Sequence, residues 1–466
     1  MPKALYPLWL SGCALLTACA SHDYVRDADS IQTEVATGED AAPVTLPLAC
    51  DQVGGRELTA LREQFTLGNL DLRAAASRLE QAQAAARGSR SALLPRLDLS
   101  IQGTRGRSRF GSGNFLFDTG LANQYQASVA ASYEVDAWGR VRNNWRAADL
   151  DAAATAELTR SLSISLSAQL ADAWTALVAQ RQLLDLLDVQ RDTAKRFLEL
   201  IELRFRLGQA TAADVARQRQ QVLMISGQRE LALARWEALQ ASVATLLGSH
   251  SDNLDLPDTR ELPPAQPLAG TVPGNAITGR PDLQAAYLQL RAADARLASA
   301  TASRLPVLGI SGNLNSVEKS AGDLFGETFW QLGLRASQAL FDFGQRKANV
   351  DVAESRAEQA YYEYAASLVG AVNEVSATLA QAEAQDRYLV ALDSQVQEAG
   401  RILFLVRDGY RLGQQNFLDV LSAQQALQTL QQAMIEAKRM QLSNRIQLCR
   451  AMGMPAGAPA TEGQAV

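Results

Sequence analysis

The stretch YQASVAASYEVD, residues 125–136, alternates residue by residue. Tyr125, Ala127, Val129, Ala131, Tyr133 and Val135 share one parity; Gln126, Ser128, Ser132, Glu134 and Asp136 share the other. Successive side chains of an extended chain point to opposite faces, so the pattern predicts a strand with one apolar and one polar face. Three more segments alternate in this way. Leu97, Leu99 and Ile101 oppose Asp98, Ser100 and Gln102; Leu308, Ile310 and Leu314 oppose Ser311, Asn313 and Asn315; Trp330, Leu332, Leu334, Ala336 and Leu340 oppose Gln331, Arg335 and Ser337. The strands are expected over about 97–104, 125–136, 307–315 and 329–341, near the length that a tilted strand needs to cross a bilayer.

Most of the remaining chain is patterned as helix. Val372, Val375, Leu379 and Ala382, then Leu389, Leu392, Val396, Ala399, Leu403, Val406 and Tyr410, keep a 3–4 heptad spacing, and Leu158, Leu162, Leu166, Leu170, Trp174 and Leu177 form a similar stripe. Each long helix covers roughly 60 residues, or about 90 Å at 1.5 Å per residue. Such a rod must lie against other rods. The fold class is therefore mainly α with a small β part. Four strands cannot close a transmembrane barrel, whose minimum is about eight. An open edge in lipid would leave backbone groups unpaired at several kcal/mol each. Several copies are expected to share one barrel.

The chain also repeats. Asp71 in NLDLRAAASRLEQ matches Asp282 in RPDLQAAYLQLR, and Pro95 matches Pro306; VDAWGR (135–140) answers FDFGQR (341–346), and RLGQATAADV (206–215) answers RLGQQNFLDV (411–420). Each half reads as a helix of about 35 residues ending at Leu-Pro, a strand pair, a long helix broken at the glycine of RLGQ, and a last helix. The expected organisation is a signal peptide (1–18), an anchored segment (19–56), a first repeat (57–247), a Pro-rich linker (248–276), a second repeat (277–453) and a disordered tail (454–466). In the first repeat, GTRGRSRFGSG (103–113) has phosphate-loop glycines but no following GK[ST] and no helix, so it is expected as a loop between strands.

The first residues carry Lys3, an apolar run and then Leu16-Thr17-Ala18-Cys19, a secretory signal ending in a lipobox-like motif. Leu10-Ser11-Gly12-Cys13 fits the same pattern with a shorter apolar run; Cys19 is the preferred lipidated residue. Ala20 and Ser21 follow it, whereas an Asp there favours inner-membrane retention. Cys50 and Cys449 are the remaining cysteines, and export to an oxidising compartment permits a disulfide. The net charge of −6 gives no reason to expect nucleic acid, and two histidines, His22 and His250, without a ligand cluster argue against zinc or a histidine-based triad. No nucleophile–base constellation appears, so neither catalysis nor a cofactor is expected.

With its two helix–hairpin–helix repeats and lipobox, the chain resembles the TolC-like outer-membrane factors, in particular the lipoprotein branch of multidrug efflux channels. LPRLDLS and LPVLGIS, DAWGR and FDFGQR, YRLGQQNFLDVLSAQQ and QLCRAMG carry the resemblance, over roughly residues 57–453. It implies a homotrimer with twelve strands in one transmembrane β-barrel, continuous with a long periplasmic α-helical barrel. It implies a passive conduit for drugs or other small molecules, docked to a periplasmic adaptor and an inner-membrane RND-type or ABC pump. Aligned on Gly413, Asp419 falls on an acidic position of the family's closed periplasmic tip, Ser422 stands where a second acidic residue is found, Leu418 matches an apolar gate position, and Asp214 is the first-half equivalent. In the family both chain ends lie near the middle of the helical barrel, which would bring Cys50 and Cys449 together. Two alternatives stand beside this reading: the exit duct of a type I protein secretion system, which the lipobox disfavours, and a lipid-anchored periplasmic coiled-coil scaffold, which the alternating strands disfavour.

Overall fold

A computed structural model of the chain describes residues 24–30, 55–112, 115–250, 256–257, 259–265, 277–323 and 325–454. In chain order the elements are α1 (24–30), α2 (Gly55–Gly68), α3 (Leu70–Ser91), β1 (Arg96–Ser112), β2 (Phe115–Val135), α4 (Arg140–Arg206) and α5 (Ala212–Leu247). There follow α6 (Pro281–Ala302), β3 (Val307–Glu318), β4 (Phe329–Ser337), α7 (Gln345–Arg411) and α8 (Phe417–Ala451). Helices α4 and α7 each run for 67 residues without a break. The chain divides into two compact units, one of residues 1–32, 78–156 and 285–366, the other of 33–77, 157–284 and 367–466.

The first unit holds a four-stranded sheet in the order β1-β2-β3-β4, antiparallel throughout. Strands β1 and β2 pair well beyond the expected ends, to Ser112 opposite Phe115, with a register shift between Arg107 and Arg109. The glycine-rich segment expected as a loop is therefore mostly strand. The ladder pairs backbone groups along the side of each strand that faces its partner, groups that a loop would leave to water, and Phe110, Phe115 and Phe117 are strand-forming residue types. Strand β4 stops at Ser337, short of 341, because the chain must turn: Phe343 and Gly344 take φ of 52° and 89°. The Asp342 carboxylate accepts the backbone N–H groups of Gly344 and Arg346 and caps α7. Its hydrogen bond from the Arg346 guanidinium holds its carboxyl below the ordinary value. Asp136 caps α4 likewise, accepting from Val141 and Arg142. Those two caps explain the aspartate shared by DAWGR and FDFGQR, and φ of 78° at Gly139 and 89° at Gly344 explains the glycine.

Helix α1 docks on α6 and α7 in this unit. Ala28 is buried with Leu290 and Tyr364, Tyr24 packs by Val350, Ala353 and Ala357, and the Tyr287 hydroxyl donates to Asp29 at 2.5 Å. Burial and the acceptor Asp29 push the Tyr287 phenol up to about 12.

The second unit packs the heptad stripe of α4 into a core. Leu166, Leu170, Trp174, Leu177 and Val178 meet Leu58, Leu61 and Phe65 of α2, Val243 and Leu247 of α5, and Ile446 of α8. The entry helix expected as one piece is two, broken at Asn69. The Asn69 side chain accepts from Leu72 N–H, capping α3, and donates to the Leu246 carbonyl at 2.7 Å. Gly248 has φ of +70°, and a Cβ there would sit 2.1 Å from the Gly68 carbonyl oxygen, so only glycine allows the approach. The matching tie in the later half is Arg280, which donates to the Ala451 carbonyl at 2.7 Å and to Glu374 and Asp282. Burial works to raise the Asp282 carboxyl, yet the Arg280 guanidinium and the Leu283 amide outweigh it and hold the carboxyl low.

Candidate channel surface and periplasmic turns

The sheet's register sorts its side chains into rows. Leu99, Val129, Leu314 and Trp330 form one row; Leu97, Ala131, Gly312 and Leu332 form the next; Tyr133, Ile310 and Leu334 follow. This face is apolar from edge to edge and uncovered: Leu97 is 71% exposed, Trp330 79% and Leu334 85%. The opposite face carries Ser100, Ser128, Asn315 and Phe329 in one row and Asp98, Ala130, Asn313 and Gln331 in the next, mostly polar. Such an apolar face is incompatible with water on both sides and fits hydrocarbon on one. Among the described residues β1 pairs only with β2 and β4 only with β3, so both outer edges present unpaired backbone groups.

The two RLGQ turns reverse the chain at Gly208 and Gly413, with φ of +72° and +76°. Each is followed by a capping box. Thr211 accepts from Asp214 N–H while Asp214 accepts from Thr211 N–H; Asn416 and Asp419 repeat the arrangement. Asp214 also holds Arg217 at 3.3 Å. Both aspartates thus do local work that the pattern Thr-x-x-Asp and Asn-x-x-Asp announced and that the sequence reading did not use. The turns pack together: Ile201, Phe417 and Leu421 are buried with Phe197, Ala210, Val215 and Tyr410. Phe197 stacks on Phe417 with centroids 6.0 Å apart, and the Arg204 guanidinium lies 4.8 Å from the Tyr410 ring centre. Leu418 is 48% exposed and Ser422 is exposed, while Asp419 is half-buried.

Glutamines, among them the buried Gln190, Gln221 and Gln428, tie the helices between these turns and the core. Gln221 donates to Gln428 at 2.9 Å and accepts from Gln425 at 2.6 Å; Gln190 bonds Gln431 and Gln432. Gln180 and Gln385 each donate to a carbonyl 52 residues on, at Ala232 and Ala437. Asp172 is nearby in sequence to the core stripe, and burial raises its carboxyl although Gln447 donates to it at 2.6 Å. Cys449 is buried against Leu448 and Met452 and is disulfide-bonded. Cys13, Cys19 and Cys50 lie outside the described residues. Among the described residues one helix, α4, is long and apolar enough to cross a membrane, but 61% of its apolar window is buried against other parts of the protein, as in a core helix.

A face for lipid, a face for water and long paired helices describe a conduit, and the sequence comparisons agree. Residues 61–249 and 272–454 match the outer membrane efflux protein family. The chain belongs to that family. This efflux-family chain is 28% identical over 456 residues to the pyoverdine export outer membrane protein OpmQ of Pseudomonas aeruginosa, covering 95% of each. It is 30% identical to the toluene efflux pump outer membrane protein TtgF of Pseudomonas putida, covering 95% of this chain and 94% of that one. Its fold matches the outer-membrane channel OprN with a TM-score of 0.80 at 23% identity, covering 93% of this chain and 96% of that one. The protein is an outer-membrane efflux protein, and its apolar sheet face is the part suited to that membrane.

Proposed function

We propose that three copies of this chain form the passive exit channel of a tripartite efflux pump, with twelve strands in one barrel above a helical barrel built from duplicated halves. The observation that carries this is the sheet: it is apolar on one face, polar on the other and open at both edges. Joining β4 of one copy to β1 of the next removes every edge, and three four-stranded shares exceed the minimum barrel size. The duplication is supported by the paired caps, RLGQ turns, glutamine ties and the Asn69 and Arg280 contacts. Relatives named for pyoverdine export and toluene efflux suggest small organic cargo. Partners are a periplasmic adaptor and an inner-membrane RND-type or ABC pump.

Lipidation at Cys19 is supported by chain length. Tyr24 packs beside Val350 and Ala357, about 8–18 Å along α7 from its start near the sheet. The five residues back to Cys19 reach at most about 17 Å, enough to place a lipid at the membrane boundary. Cys50 is the proposed partner of Cys449, and Cys50→Ser should leave Cys449 reactive to a thiol probe after denaturation without reductant. Leu418 acts as the apolar plug of the closed tip, with Asp419, Ser422 and Asp214 around it. Planar-bilayer recording of the purified chain, with its mass in detergent corrected for bound detergent, tests the whole: a conducting three-chain species is expected. A one-chain species without conductance overturns the reading.

A further inference from the structure

Among the residues whose side chains are described, the polar face of the four-stranded sheet carries four charged side chains: Arg96, Asp98, Glu134 and Arg335. Three of them are neutralised locally. Arg96 Nε donates to Asp98 at 2.9 Å, and both oxygens of Glu134 are taken by Arg140, at 2.9 and 2.6 Å. The row Glu134–Gly309–Arg335 explains why Arg335 is left over. Gly309 supplies no side chain, and Glu134 lies two strands away, about 9.6 Å at the ordinary strand spacing. Among the described residues nothing pairs with the Arg335 guanidinium. It borders a cavity of about 920 Å³ that also receives Ser132, Ser311, Asn313 and Arg96. Hydroxyl and amide donors around an unpaired guanidinium suit a carboxylate, which arginine binds through two parallel hydrogen bonds.

We propose that Arg335 makes the base of the sheet's polar face a transient subsite for anionic, carboxylate-bearing cargo. The inference rests on the pore reading above, since only there does this face line water. In an assembly of three copies, three such arginines encircle the lumen where the strands begin. An unpaired guanidinium in water costs little desolvation and binds weakly, as a conduit requires, because cargo must leave as readily as it enters.

The test uses the full chain in planar bilayers under a salt gradient, with wild type, Arg335→Ala and Arg335→Lys. Arg335→Ala should raise the cation-to-anion permeability ratio about twofold at 0.1 M salt, and the difference should vanish near 1 M, where the screening length falls to about 3 Å. Citrate on the periplasmic side should reduce wild-type current and reduce Arg335→Ala current less, with Arg335→Lys in between. Equal reversal potentials and equal citrate effects in all three proteins would overturn the subsite. So would loss of the oligomer in Arg335→Ala, which would place the guanidinium in a pair with a neighbouring copy instead. A wild type with no conductance would instead overturn the pore reading itself.

Discussion

Leu332 and Gln331 are neighbours on β4 that point to opposite faces, and their comparison separates a lipid-facing sheet from a water-bound one. Leu332 is 70% exposed in the single chain and lies in the row Leu97–Ala131–Gly312–Leu332, near the middle of a nine-residue strand. If that face meets hydrocarbon, a lysine near the bilayer midplane costs about 2–4 kcal/mol per chain, or about 6–12 kcal/mol for three copies. If the face meets water, Leu332→Lys is an ordinary surface change within about 0.5 kcal/mol. Gln331→Lys, on the polar face, is the control with the same charge at nearly the same depth. The assay is refolding into lipid vesicles, with unfolding in urea followed by tryptophan fluorescence. Leu332→Lys should lose most of its folded yield while Gln331→Lys stays close to wild type. Equal costs in the two variants would refute the assignment of faces, and with it the barrel.

Gly248→Ala should cost about 3 kcal/mol or more, since it combines a positive φ with a Cβ 2.1 Å from the Gly68 carbonyl oxygen; a melting temperature within a degree of wild type would contradict this. Tyr287→Phe removes the hydroxyl donor to Asp29, so amide exchange across residues 24–30 should speed up about tenfold while the α4 core stays protected. The Asp282 carboxyl is held below its ordinary value, so its contribution is complete above about pH 4 and lost as pH falls through the lowered value. Asp282→Asn should flatten the acid limb of the stability profile there, and an unchanged limb would count against the Arg280 contact.

Legibility followed the range of the forces involved. The strand faces, the long helices and the RLGQ breaks rest on local periodicity and on glycine's tolerance of positive φ, and all three were readable. The length of the β1–β2 hairpin was not, because 103–112 alternates arginine with small residues rather than apolar with polar ones, and the ladder is fixed by the partner strand. The break at Asn69 was missed for a related reason: its stimulus is the Leu246 carbonyl, 177 residues away. The same distance effect hid the Arg280 tie and the glutamine seam. The capping boxes, by contrast, are local: Thr-x-x-Asp and Asn-x-x-Asp directly after each RLGQ turn are legible in the sequence.

The cap role and the proposed gate role of Asp419 can be separated. Its carboxylate accepts the Asn416 N–H at 3.3 Å while Asn416 accepts the Asp419 N–H at 2.9 Å, an exchange worth about 1 kcal/mol to the start of α8. Three such carboxylates about 8 Å apart would repel by roughly 2 kcal/mol per pair at an effective dielectric near 20, before screening. Such a ring would oppose closure, while the cap fixes where the Asp419 side chain sits. Asp419→Ala removes both the cap and the charge; Asn416→Ala removes half of the cap and leaves the charge. If the ring sets selectivity, Asp419→Ala should lower cation preference in a salt gradient, whereas Asn416→Ala should leave the reversal potential alone and only loosen the turn, seen as faster amide exchange at residues 417–420. Leu418→Ala should raise the open fraction without moving the reversal potential. If Asn416→Ala shifts the reversal potential as far as Asp419→Ala does, the selectivity comes from the geometry of the turn and the carboxylate is only its cap.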